Sequence, residues 1–293
     1  MEAPQFLHRH QINTALWDAC VESADNGLIY FRSWYLDALC PAWSALVWGN
    51  YEAVMPLPWK IKWSLKYVYQ PPFFQRLGVA GNVPLTKALR YAQKHFRFIH
   101  YNTGTAAPQA RFVTRQRLNY ILPLAQPYVN MQQGFSQACR HNIRKAQQRG
   151  CRLTQVSDAA LVIAAYKNAY GRLNTQAKKE DYDRLHHMLT TAADKKHIAL
   201  YEVRDDAGNE LAQAAIAHDN KRLYYLLGAP TAQGRQKRAT YFFIDQMLQQ
   251  HAGENRLFDF EGSDLPNVAA FYQSFGPQAE YYSSVRITPF TRI

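Results

Sequence analysis

Cysteine is scarce in this sequence. The 293 residues contain four cysteines, and none of them forms a Cys-x-x-Cys pair or lies at metal-ligand spacing from a histidine: Cys20, Cys40, Cys139 and Cys151. A zinc site would need such spacing, and disulfides are rare in cytosolic proteins. The cysteines are therefore predicted to be reduced and mostly buried, and no neighbouring residue supports a nucleophilic role for any of them.

Long apolar runs are also missing. No segment approaches the roughly 18 apolar residues of a membrane-spanning helix, and the first residues, MEAPQFLHRHQ, lack the hydrophobic stretch of a secretory signal. We therefore expect a cytoplasmic protein without a transmembrane segment. With 47% hydrophobic and 19% charged residues, the chain has the composition of one large globular domain or two ordinary ones.

Acidic residues are absent from residues 53–157, although the same stretch carries sixteen lysines and arginines. Folded surfaces normally mix both signs, because like charges repel. The net charge of +12 is thus concentrated where an anion could meet it. The candidates are phosphates of a nucleotide or tRNA, or peripheral contact with an anionic membrane. A basic protein without an anionic partner remains the alternative.

The common cofactor motifs are missing too. There is no Walker loop, dinucleotide-binding fingerprint, serine elbow or zinc signature. His186 and His187 are adjacent but have no carboxylate at metal-binding spacing. No metal is expected.

What is present is a regular alternation of helical and strand patterns. The second half is predicted to begin with helices at residues 136–149, 159–170 and 181–193, followed by three strands at 198–203, 211–218 and 223–227. A helix at 239–251, a strand at 257–260, a helix from 266 or 267 and a strand from 281 complete it. The first half shows a similar but less distinct order, which indicates a duplicated α/β (α+β) fold.

Carboxylates cluster where the strand at residues 257–260 ends. Asp259 alternates with two phenylalanines along that strand, and Glu261 follows in a turn that also contains Asp264. Either Asp259 or Glu261 could accept a proton from an attacking amine. Alternatively, these residues pair with arginines or cap the following helix.

A second candidate is the segment at residues 228–238, which joins a strand to a helix and is predicted to be a loop. Free N–H groups and the helix dipole make such a junction an anion site. Gly234 allows close approach of a ligand, while Arg235, Lys237 and Arg238 supply positive charge. Cations at a helix N-terminus oppose its dipole at a cost of about 0.3–1 kcal/mol each, which a bound anion would remove. A solvated loop is the alternative.

Three segments resemble known families. Phe271-Tyr-Gln-Ser-Phe-Gly276 resembles the fourth-helix signature of GNAT acyltransferases. The longer pattern from Phe258-Asp-Phe-Glu-Gly to Phe275-Gly276 is similar to Fem-type peptidyltransferases, with Glu261 and Tyr272 standing where that family usually has Gly and Lys. The run Arg140-His-Asn-Ile-Arg-Lys-Ala146, followed by Gly150, resembles the start of the second Fem domain.

The resemblance implies two tandem GNAT-like domains, each a mixed sheet flanked by helices: a degenerate one at residues 1–128 and a second at 129–293. It also implies an acyl- or aminoacyltransferase that uses aminoacyl-tRNA as donor and a cell-wall precursor as acceptor. Tyr272 stands where GNAT enzymes often keep a tyrosine that protonates the leaving group, although core packing beside Phe271 and Phe275 is the alternative.

Two further functions are kept open. One is an N-acetyltransferase that uses acetyl-CoA. The glycine-rich loop of such enzymes is reduced here to Gly234, and side chains hinder the approach of a pyrophosphate to the backbone. The other is a protein without catalytic activity that binds nucleic acid or another anionic ligand on the same fold.

Overall fold

The computed structural model describes residues 2–104, 112–171, 177–262 and 265–291. The chain divides into two compact units, one formed by Met1–Arg117 with Tyr281–Ile293 and the other by Leu118–Glu280. The chain passes between the units within two strands, which therefore contribute to both. The domain boundary predicted between residues 128 and 129 stays a proposal.

The first unit contains three helices and a sheet. Its helices are α1 (Thr14–Ser23), α2 (Ser33–Leu39) and α3 (Leu85–His95). Its strands are β1 (Gln5–His8), β2 (Trp43–Trp48), β3 (Ala53–Lys62), β4 (Leu65–Tyr69), β5 (Ile99–Thr103) and parts of β6 (Val113–Pro123) and β12 (Gln278–Ile287). They lie in the order β1-β2-β3-β4-β5-β12, antiparallel except for the parallel β4–β5 pair.

Local signals account for most of this unit. Asn13 caps α1, its side chain accepting hydrogen bonds from the N–H groups of Ala15 and Leu16. The Gly49-Asn50 turn between two apolar runs predicts a hairpin, and β2 and β3 form it. The apolar run at residues 28–30 predicts a short strand, which is wrong, because Ile29–Phe31 forms a 3₁₀ turn. The turn is buried on all sides, and a short, fully apolar run does not distinguish a strand from a buried helical turn.

Within its described residues, the second unit contains seven α-helices around the remaining strands. The helices are α4 (Tyr128–Gln133), α5 (Gln137–Gln148), α6 (Ala159–Tyr170), α7 (Lys179–Asp194), α8 (Ala232–Lys237), α9 (Ala239–Gln250) and α10 (Pro266–Gln273). The strands are β7 (Arg152–Val156), β8 (Ile198–Arg204), β9 (Glu210–His218), β10 (Arg222–Pro230) and β11 (Leu257–Asp259), with the rest of β6. Their order is β6-β11-β10-β9-β8-β7.

The centre of this unit is aromatic. Phe258, Phe260 and Phe275 are fully buried, and the ring centroid of Phe275 lies 5.3 Å from that of Phe135. The antiparallel meander β8–β9–β10 is confirmed, as is the predicted helix–strand–helix–strand order that follows it. Helices α4 and α8 and strand β7 were not predicted, because each is short and largely polar.

The mixed sheets flanked by helices confirm the predicted fold class. All four cysteines are buried and unpaired by disulfides, as predicted. In the portion of the chain that the structure describes, no helix has both the length and the apolar character needed to cross a bilayer.

Candidate active site

The candidate site begins where two parallel strands part. β10 pairs with β11 through Arg222, Leu223 and Tyr224 only. β11 ends at Asp259, whereas β10 continues to Pro230, with an irregular register against β9 just after Tyr224. The residues that follow this point, including Tyr225 on β10 and Glu261 after β11, are therefore not paired with each other, and the two strands leave room between them for a site.

Glu261 is held in an unusual backbone conformation. Its φ is +65° and that of Gly262 is +60°, so two successive residues adopt the left-handed conformation that non-glycine residues avoid. Glycine is required at the second position, because a Cβ there would lie 2.6 Å from the carbonyl oxygen of Leu118. The Glu261 N–H donates to the Asp259 carboxylate at 2.9 Å. The turn places Glu261 directly beyond the strand end.

Asp259 is an anchor within a buried ionic network. Its side chain is 1% exposed and pairs with Arg222 at 2.9 Å, while the Asn119 amide donates to it at 2.9 Å. Arg222 also bonds Glu280 at 2.8 Å. These donors fix the Asp259 carboxylate in place and occupy the oxygens that an incoming amine would need. Its role as a base stays a prediction, and the geometry favours a positioning role for it.

Tyr272 lies beside Glu261 within a cluster of tyrosines. Burial, together with the proximity of Tyr170, Glu261 and Tyr166, raises the pKa of Tyr272 above its ordinary range. Its ring centroid is 5.1 Å from that of Phe260, so the side chain packs against the core while its hydroxyl faces other polar groups. Both readings of Tyr272 from the sequence are therefore compatible with its position.

Tyr225 is a member of this cluster that the sequence did not reveal. It is 7% exposed, and burial, then the nearby Tyr272 and Tyr170, raises its pKa. A Cβ at Gly228 would lie 1.8 Å from the Tyr225 hydroxyl oxygen, so the glycine makes room for the phenol. Tyr166 and Tyr170 lie one turn apart on α6, and nothing in their spacing predicts that they approach α10. We define the tyrosine cluster as Tyr166, Tyr170, Tyr225 and Tyr272.

The segment predicted as a basic loop is partly helical. α8 occupies most of it, and Arg238 joins α8 to α9 with φ +66°. Arg235 and Lys237 therefore lie in the last turn of α8, where cations complement the dipole instead of opposing it. The expected opposition to a helix dipole therefore does not apply to Arg235 and Lys237 within α8, whereas Arg238 is the N-cap of α9, where the sequence predicted it.

Two residues of this segment have structural partners. The Lys237 Nζ lies 2.6 Å from Asp205, whose side chain is 2% exposed, and this bond contributes most to holding the pKa of Asp205 below its ordinary range. A Cβ at Gly234 would lie 1.8 Å from the Leu211 carbonyl oxygen, so the glycine lets α8 pack on β9. Arg235 and Arg238 are exposed and keep their cations in solvent.

The basic helix α5 packs on α9. Its Arg144 is exposed, whereas Arg140 is half-buried and donates to the carbonyl oxygens of Gln132 and Phe135. A pocket of about 290 Å³ lies on it, lined by Gln132, Arg140, Ile143, Arg144 and Gln147. Arg144 is exposed and has no ion-pair partner within residues 2–104, 112–171, 177–262 and 265–291. Asp264 lies outside the described residues. Those residues also contain no group of three side chains suited to hold a metal ion.

The fold is of the GNAT acyltransferase type. Residues 134–267 match the family model described as "Acetyltransferase (GNAT) domain", which covers the strand parting, the tyrosines of α6 and β10, and Glu261. No curated protein sequence matches this chain.

Solved structures share this fold over nearly the whole chain. FemX aligns with a TM-score of 0.68 and 14% identity over 96% of this chain and 97% of its own. L-PGS from Bacillus licheniformis aligns at 0.57 and 10% identity over 96% and 93%. A tandem GNAT protein from the clavulanic acid biosynthesis pathway aligns at 0.54 and 9% identity over 97% of both chains.

Proposed function

We propose that this protein transfers an activated acyl or aminoacyl group from a phosphate-bearing donor to an amine. The observation that carries the proposal is Glu261, held in a left-handed turn beside Tyr272 at the parting of β10 and β11. Strained backbone of this kind costs about 1–3 kcal/mol and persists where the surrounding structure demands it, commonly at functional sites.

The two side chains suit the two proton transfers of the reaction. The amine attacks the donor carbonyl, and Glu261 takes the proton that the amine loses as the amide bond forms. The ester or thioester bond to the donor then breaks, and its oxygen or sulfur receives a proton from Tyr272. The Tyr272 phenol is protonated at neutral pH, as a proton donor must be, and the burial that raises its pKa makes it a weaker acid than an exposed tyrosine. Asp259 orients Glu261 through the backbone.

Aminoacyl-tRNA is the donor that we favour. The acid-free span, the exposed Arg144 of α5 and the exposed Arg235 and Arg238 near Gly234 all suit a polyphosphate partner. The Fem-like motifs favour a cell-wall precursor as acceptor, and the likeness of fold to FemX is consistent with this. A cytoplasmic location stays a prediction.

Acetyl-CoA is the second candidate donor, because the matched family model is that of an acetyltransferase domain. Calorimetry with tRNA and, separately, with CoA distinguishes the two. We expect tRNA to bind and CoA to bind weakly or not at all. Tight CoA binding without tRNA binding would reverse this order. Steeply salt-dependent binding of arbitrary RNA, with no transfer from any donor, would instead indicate the non-catalytic alternative.

The catalytic roles are tested by Glu261→Gln and Tyr272→Phe. Each should lower the rate of transfer from aminoacyl-tRNA to a muramyl-pentapeptide precursor by about 10²–10⁴-fold, the usual contribution of a general acid or base. Tyr281→Phe removes the hydroxyl of an exposed tyrosine and serves as the matched control. Rates within a few-fold of the wild type for both site variants would refute these roles.

A further inference from the structure

The hairpin formed by β3 and β4 extends beyond the sheet. β3 pairs with β2 only through Ala53–Pro58, and β4 pairs with β5 only through Val68 and Tyr69. Residues 60–67, here called the ribbon, pair across the hairpin with each other. No third strand covers the ribbon in the part of the chain that the structure describes.

The tip of the ribbon exposes three large apolar side chains. Ile61 is 60% exposed, Trp63 85% and Leu65 43%. They lie within five residues at the tip, with Ile61 and Leu65 on opposite faces of the ribbon, because their cross-strand partners are Lys66 and Lys62. A tip that exposes apolar side chains in this way marks an interaction site when it is not a hazard for aggregation. Single exposed apolar residues elsewhere need no such explanation.

The turn that presents the tryptophan is strained. Trp63 and Ser64 form the two-residue connection with φ +48° and +62°. Such turns favour asparagine and glycine, because both positions require the left-handed conformation. A tryptophan held there against that preference gives the hairpin neither stability nor a buried contact. Its side chain is displayed to the outside.

Lysines surround the apolar tip, and each one lies over an aromatic ring. Lys60 is 4.2 Å from the Tyr69 ring centroid, Lys62 is 4.6 Å from that of Trp63, and Lys66 is 4.7 Å from that of Trp59. No acidic residue occurs from residue 53 to residue 157, so nothing in the ribbon's own sequence neutralises these charges. The ribbon is therefore apolar at its tip and cationic just behind it.

We propose that the ribbon docks on an anionic phospholipid bilayer. Tryptophan prefers the boundary between headgroups and acyl chains, and Ile61 and Leu65 would enter the same layer. Lys60, Lys62 and Lys66 would then lie at the level of the phosphates. A nucleic acid would match the lysines but not the two aliphatic side chains, and a protein partner would not require three adjacent cations. The proposal does not depend on the acyl-transfer activity.

Co-sedimentation of the full chain with vesicles tests the proposal. The wild type should bind vesicles of phosphatidylcholine mixed with phosphatidylglycerol and should remain in the supernatant with phosphatidylcholine alone. Trp63→Ser should weaken binding at least about tenfold, because it removes the aromatic side chain that the bilayer would bury. Phe290→Ser is the matched control, because Phe290 is 93% exposed elsewhere on the surface.

A charge-matched pair tests the lysines. The double variant Lys62→Gln, Lys66→Gln should weaken binding to the anionic vesicles about 30-fold, because each lysine near the surface contributes a factor of slightly more than about five and the two factors multiply. Lys195→Gln with Lys196→Gln, which removes the same charge just beyond α7, should leave binding within a few-fold of the wild type. Circular dichroism confirms that each variant is folded.

Three results would overturn the proposal. One is wild-type protein that stays in the supernatant with the anionic vesicles. Another is Trp63→Ser binding as Phe290→Ser does. The third is a protein that does not bind vesicles but does bind a duplex RNA, or associates with itself in sedimentation velocity, in a way that the ribbon variants abolish.

Discussion

Asp245 shows how a single residue sets the pH dependence of this fold. It lies on α9, is 1% exposed and accepts a hydrogen bond from the Tyr128 hydroxyl. Burial raises the pKa of Asp245 above its ordinary 3.8. A group whose pKa is raised on folding favours the native state fully below its unfolded pKa, and that contribution is lost as the pH rises through its native pKa.

Asp245→Asn should therefore be more stable than the wild type at neutral pH, because the amide removes a charge that burial disfavours while still accepting from Tyr128. The advantage should disappear as the pH falls through the raised pKa of Asp245. Thermal melts between pH 3 and pH 8 measure this.

Asp205→Asn is the opposing control for that experiment. The pKa of Asp205 is lowered, chiefly by Lys237, so its contribution to stability is present above the ordinary pKa of 3.8 and is lost only as the pH falls below it. The Asp205 variant should melt earlier at neutral pH, and its deficit should shrink in acid. Equal and pH-independent effects for both variants would contradict the assignment.

At the scale of secondary-structure elements, α8 carries two cations that the sequence assigned to one anion site. Lys237 pairs with Asp205, whereas Arg235 is exposed. Lys237→Ala should lower the melting temperature, because it leaves the buried Asp205 without its cation. Arg235→Ala changes an exposed side chain on the same helix and should leave the melting temperature unchanged while weakening tRNA binding. Calorimetry and thermal melts on both variants decide this. An Arg235 variant that binds tRNA as the wild type does would remove α8 from the proposed donor site.

The network at the ends of β10, β11 and β12 joins elements that are distant in sequence. Arg222→Met leaves Asp259 buried without its charge partner, and Arg222 itself is only 11% exposed. Removing one member of a buried pair costs about 3–5 kcal/mol. Arg9→Met breaks an ion pair with Asp37 whose members are 37% and 39% exposed, and should cost no more than about 1 kcal/mol. Urea unfolding of both variants measures the difference, and equal costs would show that the network is not a stabilising anchor.

At the scale of the whole molecule, the acid-free basic span is continuous along the sequence, whereas the two compact units are not. The acid-free span extends from β3 through β7 and so contributes to both compact units. The compact units themselves exchange chain segments within β6 and β12. A sequence read in order suggests a single division, because nothing in a strand's composition tells which neighbours it will pair with.

The sequence by itself was enough to predict the fold class, the order of the longer elements in the second half and the position of Glu261 in a turn after a strand. Apolar periodicity and turn residues are local properties, and they persist in the folded chain. Helix α6, predicted at residues 159–170 from its cap at Asp158 and its stop at Gly171, has the same bounds in the structure.

Only the tertiary structure decided which polar groups meet. Asp259 became a buried anchor because Arg222 and Asn119 reach it from other strands, and Lys237 became a structural cation because Asp205 lies in the turn after β8. Tyr225 joined Tyr272 through the parting of β10 and β11, and Trp63 was left exposed because no third strand covers its hairpin. Contacts between residues far apart along the chain depend on strand pairing and helix packing, and local sequence patterns carry no record of them.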